Sequence, residues 1–126
     1  MIGHVLLEIP PTYKADMLNL QLNRQIAIKV SAEEARRKVN NYVHLEISTQ
    51  MHAETPLLVV GDTVWWRVPV HLTFPSFGDV GQVGFMYVDP VTSDIDNSPA
   101  TIAEITHNAE NLAFRFTPPT AKRFGC

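Results

Sequence analysis

Cysteine is almost absent from this chain of 126 residues, since Cys126 is the only one. No disulfide can form within the chain, and a zinc site built from several cysteines is excluded. No apolar run reaches about 18 residues, so we expect no membrane-spanning helix and no membrane partner. Residues 1–11 lack the basic segment that opens a signal peptide, and we therefore expect a cytoplasmic protein.

Positive charge is also scarce. Ten Lys and Arg residues stand against 13 Asp and Glu residues, for a net charge of −3. A nucleic-acid-binding surface needs a basic excess, so we expect no nucleic-acid partner. The content of 45% hydrophobic and 18% charged residues is typical of a folded protein. The length suits one hydrophobic core, and we predict a single domain over residues 1–126.

Catalytic and cofactor motifs are missing as well. The sequence contains no G-x-S-x-G and no H-E-x-x-H, and its glycines do not open a helix as a dinucleotide fingerprint requires. The five histidines are not at zinc-ligand spacing. They are His4, His44, His52, His71 and His107. We therefore predict no catalytic residues, no metal and no cofactor.

The clearest structural signal lies in residues 64–96. In residues 64–74, apolar side chains alternate with mixed ones, which is the period of a strand with one buried face. Residues 83–88 form the returning strand, and residues 75–81 are predicted to be the loop between them. Pro69 cannot donate a hydrogen bond to a neighbouring strand, so we expect an edge or a bulge at that position.

Two helices are marked by their first residues. Ser31 and Glu34 form a capping box, and apolar residues recur behind it at helical spacing. Ser98 and Pro99 provide an N-cap and a first helical residue. The second helix is expected to end before the prolines at 118 and 119, which leaves residues 118–126 as a flexible tail.

Short strands complete the expected fold. We predict strands at residues 2–9 and 57–60, a two-residue turn at Gly61 and Asp62, a hairpin within residues 17–30, and a polar loop at residues 48–56. The result is an α+β fold: an antiparallel sheet of about five or six strands with both helices packed on one face. Residues 1–30 pair either with their own domain or with another chain.

Trp65, Arg67 and His71 are the candidate binding residues. They share the mixed face of the central strand, and an aromatic side chain next to an arginine is typical of a binding hot spot. The alternative is that the N-terminal hairpin or a dimer partner covers Trp65. A homodimer interface satisfies both interpretations.

Three carboxylates cluster around one turn, at Asp89, Asp94 and Asp96. Such a set could hold a hard cation. The spacing does not match an EF-hand loop, however, and Asp is an ordinary turn residue that accepts hydrogen bonds from its own backbone.

The order of helix, strand, turn and strand resembles the PepSY domain. The resemblance is carried by AEEARRK, VWWRVPV and MYVDPVTSDI within residues 31–96, where Val88, Asp89, Thr92 and Asp94 match the turn that follows the second strand. Ser93 stands where that pattern has a glycine. The helix-on-sheet outline is also similar to cystatin-like folds. The resemblance implies binding and inhibition of peptidases without catalytic residues.

We therefore predict a non-catalytic protein-interaction module, such as an inhibitor or an antitoxin-like partner of an enzyme. It would bind a protein partner or self-associate, with a homodimer expected. Two alternatives stay open: a small-molecule-binding or enzymatic domain with a pocket between sheet and helices, and a structural homo-oligomer subunit.

Overall fold

The computed structural model describes residues 7–9, 17–20 and 24–115. It contains seven strands and two helices in these residues. In chain order they are β1 (Leu7–Ile9), β2 (Met17–Leu20), β3 (Arg24–Ala27), α1 (Ala32–Glu46), β4 (Met51–Ala53), β5 (Leu57–Val60), β6 (Val64–Phe74), β7 (Gly78–Val88) and α2 (Pro99–Arg115). Neither helix is long and apolar enough to cross a membrane.

The main sheet is built around β6. All its strand pairs are antiparallel: β7 lies along one edge of β6, and β5 and β4 lie end to end along the other, with β1 outside β5. Pro69 accepts a hydrogen bond from the amide of Glu54. The nitrogen of Pro69 faces the same side, at the junction between β4 and β5. Its lack of an N–H therefore interrupts neither the β4–β6 pairing nor the β5–β6 pairing.

The expected α+β fold with an antiparallel sheet and two helices is confirmed. The expected number of five or six strands is not confirmed, because at most four strands, β1, β5, β6 and β7, lie side by side in the main sheet. Two features narrow it. β4 and β5 share one edge of β6. Within residues 7–9, 17–20 and 24–115, β2 and β3 pair with each other, as the predicted hairpin, and not with the main sheet.

One face of the sheet carries the core. Trp66, Val68, Val70 and Leu72 of β6 are buried in one cluster with side chains from both helices. The Trp66 indole N–H donates to the carbonyl of Val30 at 2.7 Å, which satisfies the polar atom of the largest core side chain. Both helices therefore cover this face. We call the opposite face, which carries the odd-numbered residues 65–73 of β6, the open face.

Both helix starts are confirmed. The Ser31 hydroxyl accepts from the amide of Glu34, and the Glu34 carboxylate accepts from the amide of Ser31, each at 3.0 Å. At α2, Ser98 caps the amide of Thr101. The buried residues of α1 are Ala35, Val39 and Val43, which fall on the predicted apolar stripe.

Three local predictions were wrong. The loop at residues 48–56 contains β4, whose pairing with β6 its polar sequence did not reveal. The turn after β5 has three residues, because Val60 pairs with Val64. The loop at residues 75–81 is shorter, since β7 begins at Gly78. Gly78 has a φ of +73°, which glycine adopts without strain and which lets the chain return early.

Some predictions lie outside the described residues. These are residues 2–6 of the first predicted strand, residues 21–23 of the predicted hairpin and the tail at residues 118–126.

Candidate metal centre

Four potential metal ligands meet on the open face. They are His52 and Glu54 at β4, His71 on β6 and Asp79 on β7, and one donor atom from each lies within 4.8 Å of the others. We call them the His–carboxylate cluster. It is the only group of three or more such side chains so arranged in the part of the chain that the structure describes.

Strand register brings the cluster together. His52 pairs directly with His71 across β4 and β6, so both rings lie on the same face. Glu54 follows His52 by two residues and projects in the same direction. On the other side of β6, Asp79 pairs with Thr73. The cluster therefore spans three adjacent strands.

A bulge aims Asp79 at the cluster. The pairing of β6 with β7 shifts between Leu72 and Thr73, so that Asp79, and not Val80, lies opposite Thr73. Without this extra residue the Asp79 side chain would project toward the helices. Gly81 has a φ of +140°, a backbone conformation that residues other than glycine rarely adopt. Its amide donates to the Asp79 carboxylate at 2.9 Å.

The distances within the cluster suit a small ion after slight adjustment. His52 Nε2 lies 2.5 Å from Glu54 Oε2 and 3.7 Å from Asp79 Oδ2, and His71 Nδ1 lies 2.8 Å from Asp79 Oδ2. Donors bound tetrahedrally at about 2.0–2.1 Å from zinc lie roughly 3.4 Å apart. To bind zinc, donor atoms that are now closer than this must move apart and donor atoms that are farther apart must approach, each by about 1 Å.

Thr73 fixes the orientation of His52. Its hydroxyl lies 2.8 Å from His52 Nδ1, on the side of the ring away from Glu54. A proton on Nδ1 that is donated to Thr73 leaves the Nε2 lone pair directed at the cluster. Metal-binding histidines are held in this manner by a partner on the second ring nitrogen.

The Asp79 carboxylate is held in its charged form. Partial burial raises its pKa, but the hydrogen bonds from His71 and from the Gly81 amide lower it, and the net result is a pKa below the ordinary value of 3.8. At neutral pH the cluster therefore contains a carboxylate that is ready to bind a cation. The four side chains of the cluster are between 24% and 45% exposed, so an ion can enter from solvent.

The side chains of the cluster are also linked by hydrogen bonds. Thr73, His52 and Glu54 form a continuous chain of hydrogen bonds, and His71 with Asp79 forms a second one beside it. Two neutral imidazoles and two carboxylates, however, make a complete donor set whose charge of −2 matches a divalent ion.

The sequence indicated only one member of this cluster. His71 was a candidate binding residue, whereas His52, Glu54 and Asp79 carried no signal. No ligand-spacing motif links positions 52, 54, 71 and 79. The spacing of His52 and Glu54, two residues apart, is the one detectable hint, but the polar sequence of residues 48–56 predicts a loop and not a strand.

The structure separates the three predicted binding residues. Trp65, Arg67 and His71 share the open face, but each contacts a different group. The Trp65 indole donates to Thr63 Oγ1 at 2.8 Å, the Arg67 guanidinium lies 4.9 Å from the centre of the Phe85 ring, and His71 bonds to Asp79.

The three aspartates of the turn do not converge on one point. The Asp89 carboxylate accepts from the amides of Val91 and Thr92, and these bonds lower its pKa. Asp96 accepts from the amide of Ser98 at the start of α2. Ser93, at the position where the PepSY pattern has glycine, has a φ of +70°, the conformation that glycine favours.

In comparisons with known proteins, no protein-family model, no curated protein and no solved structure matches the chain.

Proposed function

We propose that this domain binds a divalent transition-metal ion through His52, Glu54, His71 and Asp79. The observation that carries the proposal is the convergence of two imidazoles and two carboxylates from three adjacent strands within 4.8 Å. Imidazole nitrogen favours zinc, copper, nickel and iron over magnesium and calcium, which prefer oxygen alone. Zinc fits best, since it accepts a tetrahedral set of mixed nitrogen and oxygen ligands.

Isothermal titration of Zn²⁺ into the full chain tests the proposal. We use a Cys126→Ser background, so that the thiol cannot bind the metal. One ion per chain is expected. His71→Ala removes a ligand and is expected to weaken binding about 100-fold, because even loss of a group that only orients a ligand costs 10–100-fold.

His107→Ala is the matched control, because His107 lies exposed on α2, away from the cluster. It should bind zinc like the parent protein. Titration with Co²⁺ adds an independent readout, since its visible absorption reports coordination by the histidines. Absence of zinc binding in the parent, or equal weakening by His107→Ala, would contradict the proposal.

A second candidate function is protein interaction through the open face. It is supported by the row of half-buried aromatic side chains there, with Trp65 on β6 and Phe85 and Tyr87 on β7. The PepSY resemblance, which implies binding without catalysis, agrees with it. Light scattering of the parent protein and of Trp65→Ala tests whether the chain associates with itself through this face. We expect the parent to be a dimer and Trp65→Ala to be a monomer. A monomeric parent protein would exclude self-association.

A further inference from the structure

A cleft lies on the open face, at the end of β6 and β7 that is away from the metal centre. Its volume is about 620 Å³, and its lining residues are Trp65, Tyr87, Asp94, Ile95 and Asp96. We call it the aromatic cleft. Trp65 and His71 are six residues apart on one strand, so the cleft and the metal centre are separated by roughly 20 Å.

The turn after β7 builds one wall of the cleft. The chain folds back on itself, so that Val88 bridges to Ile95, the Asp89 amide donates to the Asp94 carbonyl, and the Asp96 amide donates to the Tyr87 carbonyl. This short pairing places two carboxylates, Asp94 and Asp96, beside the aromatic side chains of the open face.

The aromatic wall comes from two neighbouring strands. Tyr87 pairs with Arg67, so Trp65 and Tyr87 are diagonal neighbours on the open face, within reach of one ligand. The hydrogen bond from the Trp65 indole to Thr63 holds the ring in place and satisfies its only polar atom. Both side chains are partly exposed, and both line the cleft.

The two carboxylates have different roles. Asp96 already accepts a hydrogen bond from the Ser98 amide. The Asp94 carboxylate is exposed, and within the described part of the chain no hydrogen bond to it is seen. The nearby Lys38 ammonium is engaged by the carbonyl of Ser93. Among the residues that the structure describes, the Asp94 carboxylate is therefore not engaged by a hydrogen bond, and its negative charge faces solvent.

We propose that the aromatic cleft binds an organic cation, an ammonium or guanidinium group held between the Trp65 and Tyr87 rings and the carboxylates of Asp94 and Asp96. Aromatic faces attract cations through the ring quadrupole, and tryptophan does so most strongly. The carboxylates add charge complementarity and exclude anions. This site is independent of the metal centre, and neither proposal requires the other.

Nuclear magnetic resonance of the ¹⁵N-labelled full chain tests this site. The two tryptophans give two indole N–H signals, and the buried Trp66 serves as an internal control for Trp65. Titration with tetramethylammonium chloride is expected to shift the Trp65 indole signal and the amides of residues 94–96 in a saturable manner. The Trp66 signal should not move.

Controls separate cation binding from other effects. Sodium chloride at equal ionic strength and tert-butanol, a neutral analogue, should cause no saturable shift. Asp94→Asn is expected to weaken tetramethylammonium binding roughly fivefold, in keeping with the modest strength of exposed charge pairs. Glu110→Gln removes the same charge from the exposed face of α2 and should leave binding unchanged.

Two probes distinguish the possible sources of the cation. n-Butylammonium represents a free amine, and N-acetyl-lysine methylamide represents a lysine side chain of a protein. Tighter binding of the lysine derivative indicates a peptide ligand, whereas tighter binding of n-butylammonium indicates a free amine. Equal shifts with tert-butanol, or undiminished binding by Asp94→Asn, would overturn the proposal.

Discussion

Zinc at roughly 100 times its dissociation constant is expected to stabilise the folded chain by about 2.7 kcal/mol, which raises Tm by roughly 10 °C for a domain of this size. The reason is that the His–carboxylate cluster exists only in the folded sheet. His52, His71 and Asp79 come from three strands, and their donor atoms are close only when the strands are in register. Unfolded chain presents the same groups far apart and binds zinc weakly.

Thermal unfolding followed by circular dichroism measures this effect. The Tm should rise with zinc concentration and return to its starting value when a chelator is added. Magnesium at the same concentration should leave it unchanged, since the site contains two nitrogen ligands. Equal stabilisation of the His52→Ala/His71→Ala double variant would place the ion elsewhere and exclude this cluster.

The contact between β7 and α2 gives the second large effect. A Cβ atom added at Gly84 would lie 2.8 Å from Ile105 Cγ1 and 3.9 Å from Ile105 Cα. Ile105 is 1% exposed and cannot move aside into solvent. Gly84→Ala is therefore expected to reduce the free energy of unfolding by about 1–3 kcal/mol, as overpacking of a core does.

A double-mutant cycle isolates this contact. Ile105→Ala alone should cost about 2–5 kcal/mol, because it leaves a cavity under the sheet. In that background the new Cβ at position 84 occupies part of the cavity, so Gly84→Ala should cost close to nothing. The coupling of about 1–3 kcal/mol between the two changes is the expected signature. Urea unfolding of the four proteins measures it.

Gly78→Ala is the control for this cycle. Gly78 has a positive φ and no atom within 4 Å of its added Cβ, so the substitution strains the backbone without any contact with Ile105. Its cost should add to that of Ile105→Ala within about 0.5 kcal/mol. If Gly84→Ala cost the same in both backgrounds, close packing against Ile105 would not be the reason for a glycine at this position.

Local patterns predicted the elements that short-range physics controls. The start of α1 followed from Ser31 and Glu34, because a capping box needs only residues three apart in sequence. The buried face of β6 followed from its alternation. β4 could not be found in this way, since three residues carry too little periodicity and its identity as a strand depends on pairing with β6.

The two helices, the central strand and the division of that strand into a buried and an open face could be predicted from the amino-acid pattern, because each depends on residues that are close together in the chain. Which side chains meet depends on how distant strands pair. His52 and Asp79 are 27 positions apart, and they converge on His71 because β4 and β7 flank β6 and one bulge directs Asp79 to the open face. The register between distant strands is a property of the whole sheet, so the candidate site becomes visible only when the sheet is assembled.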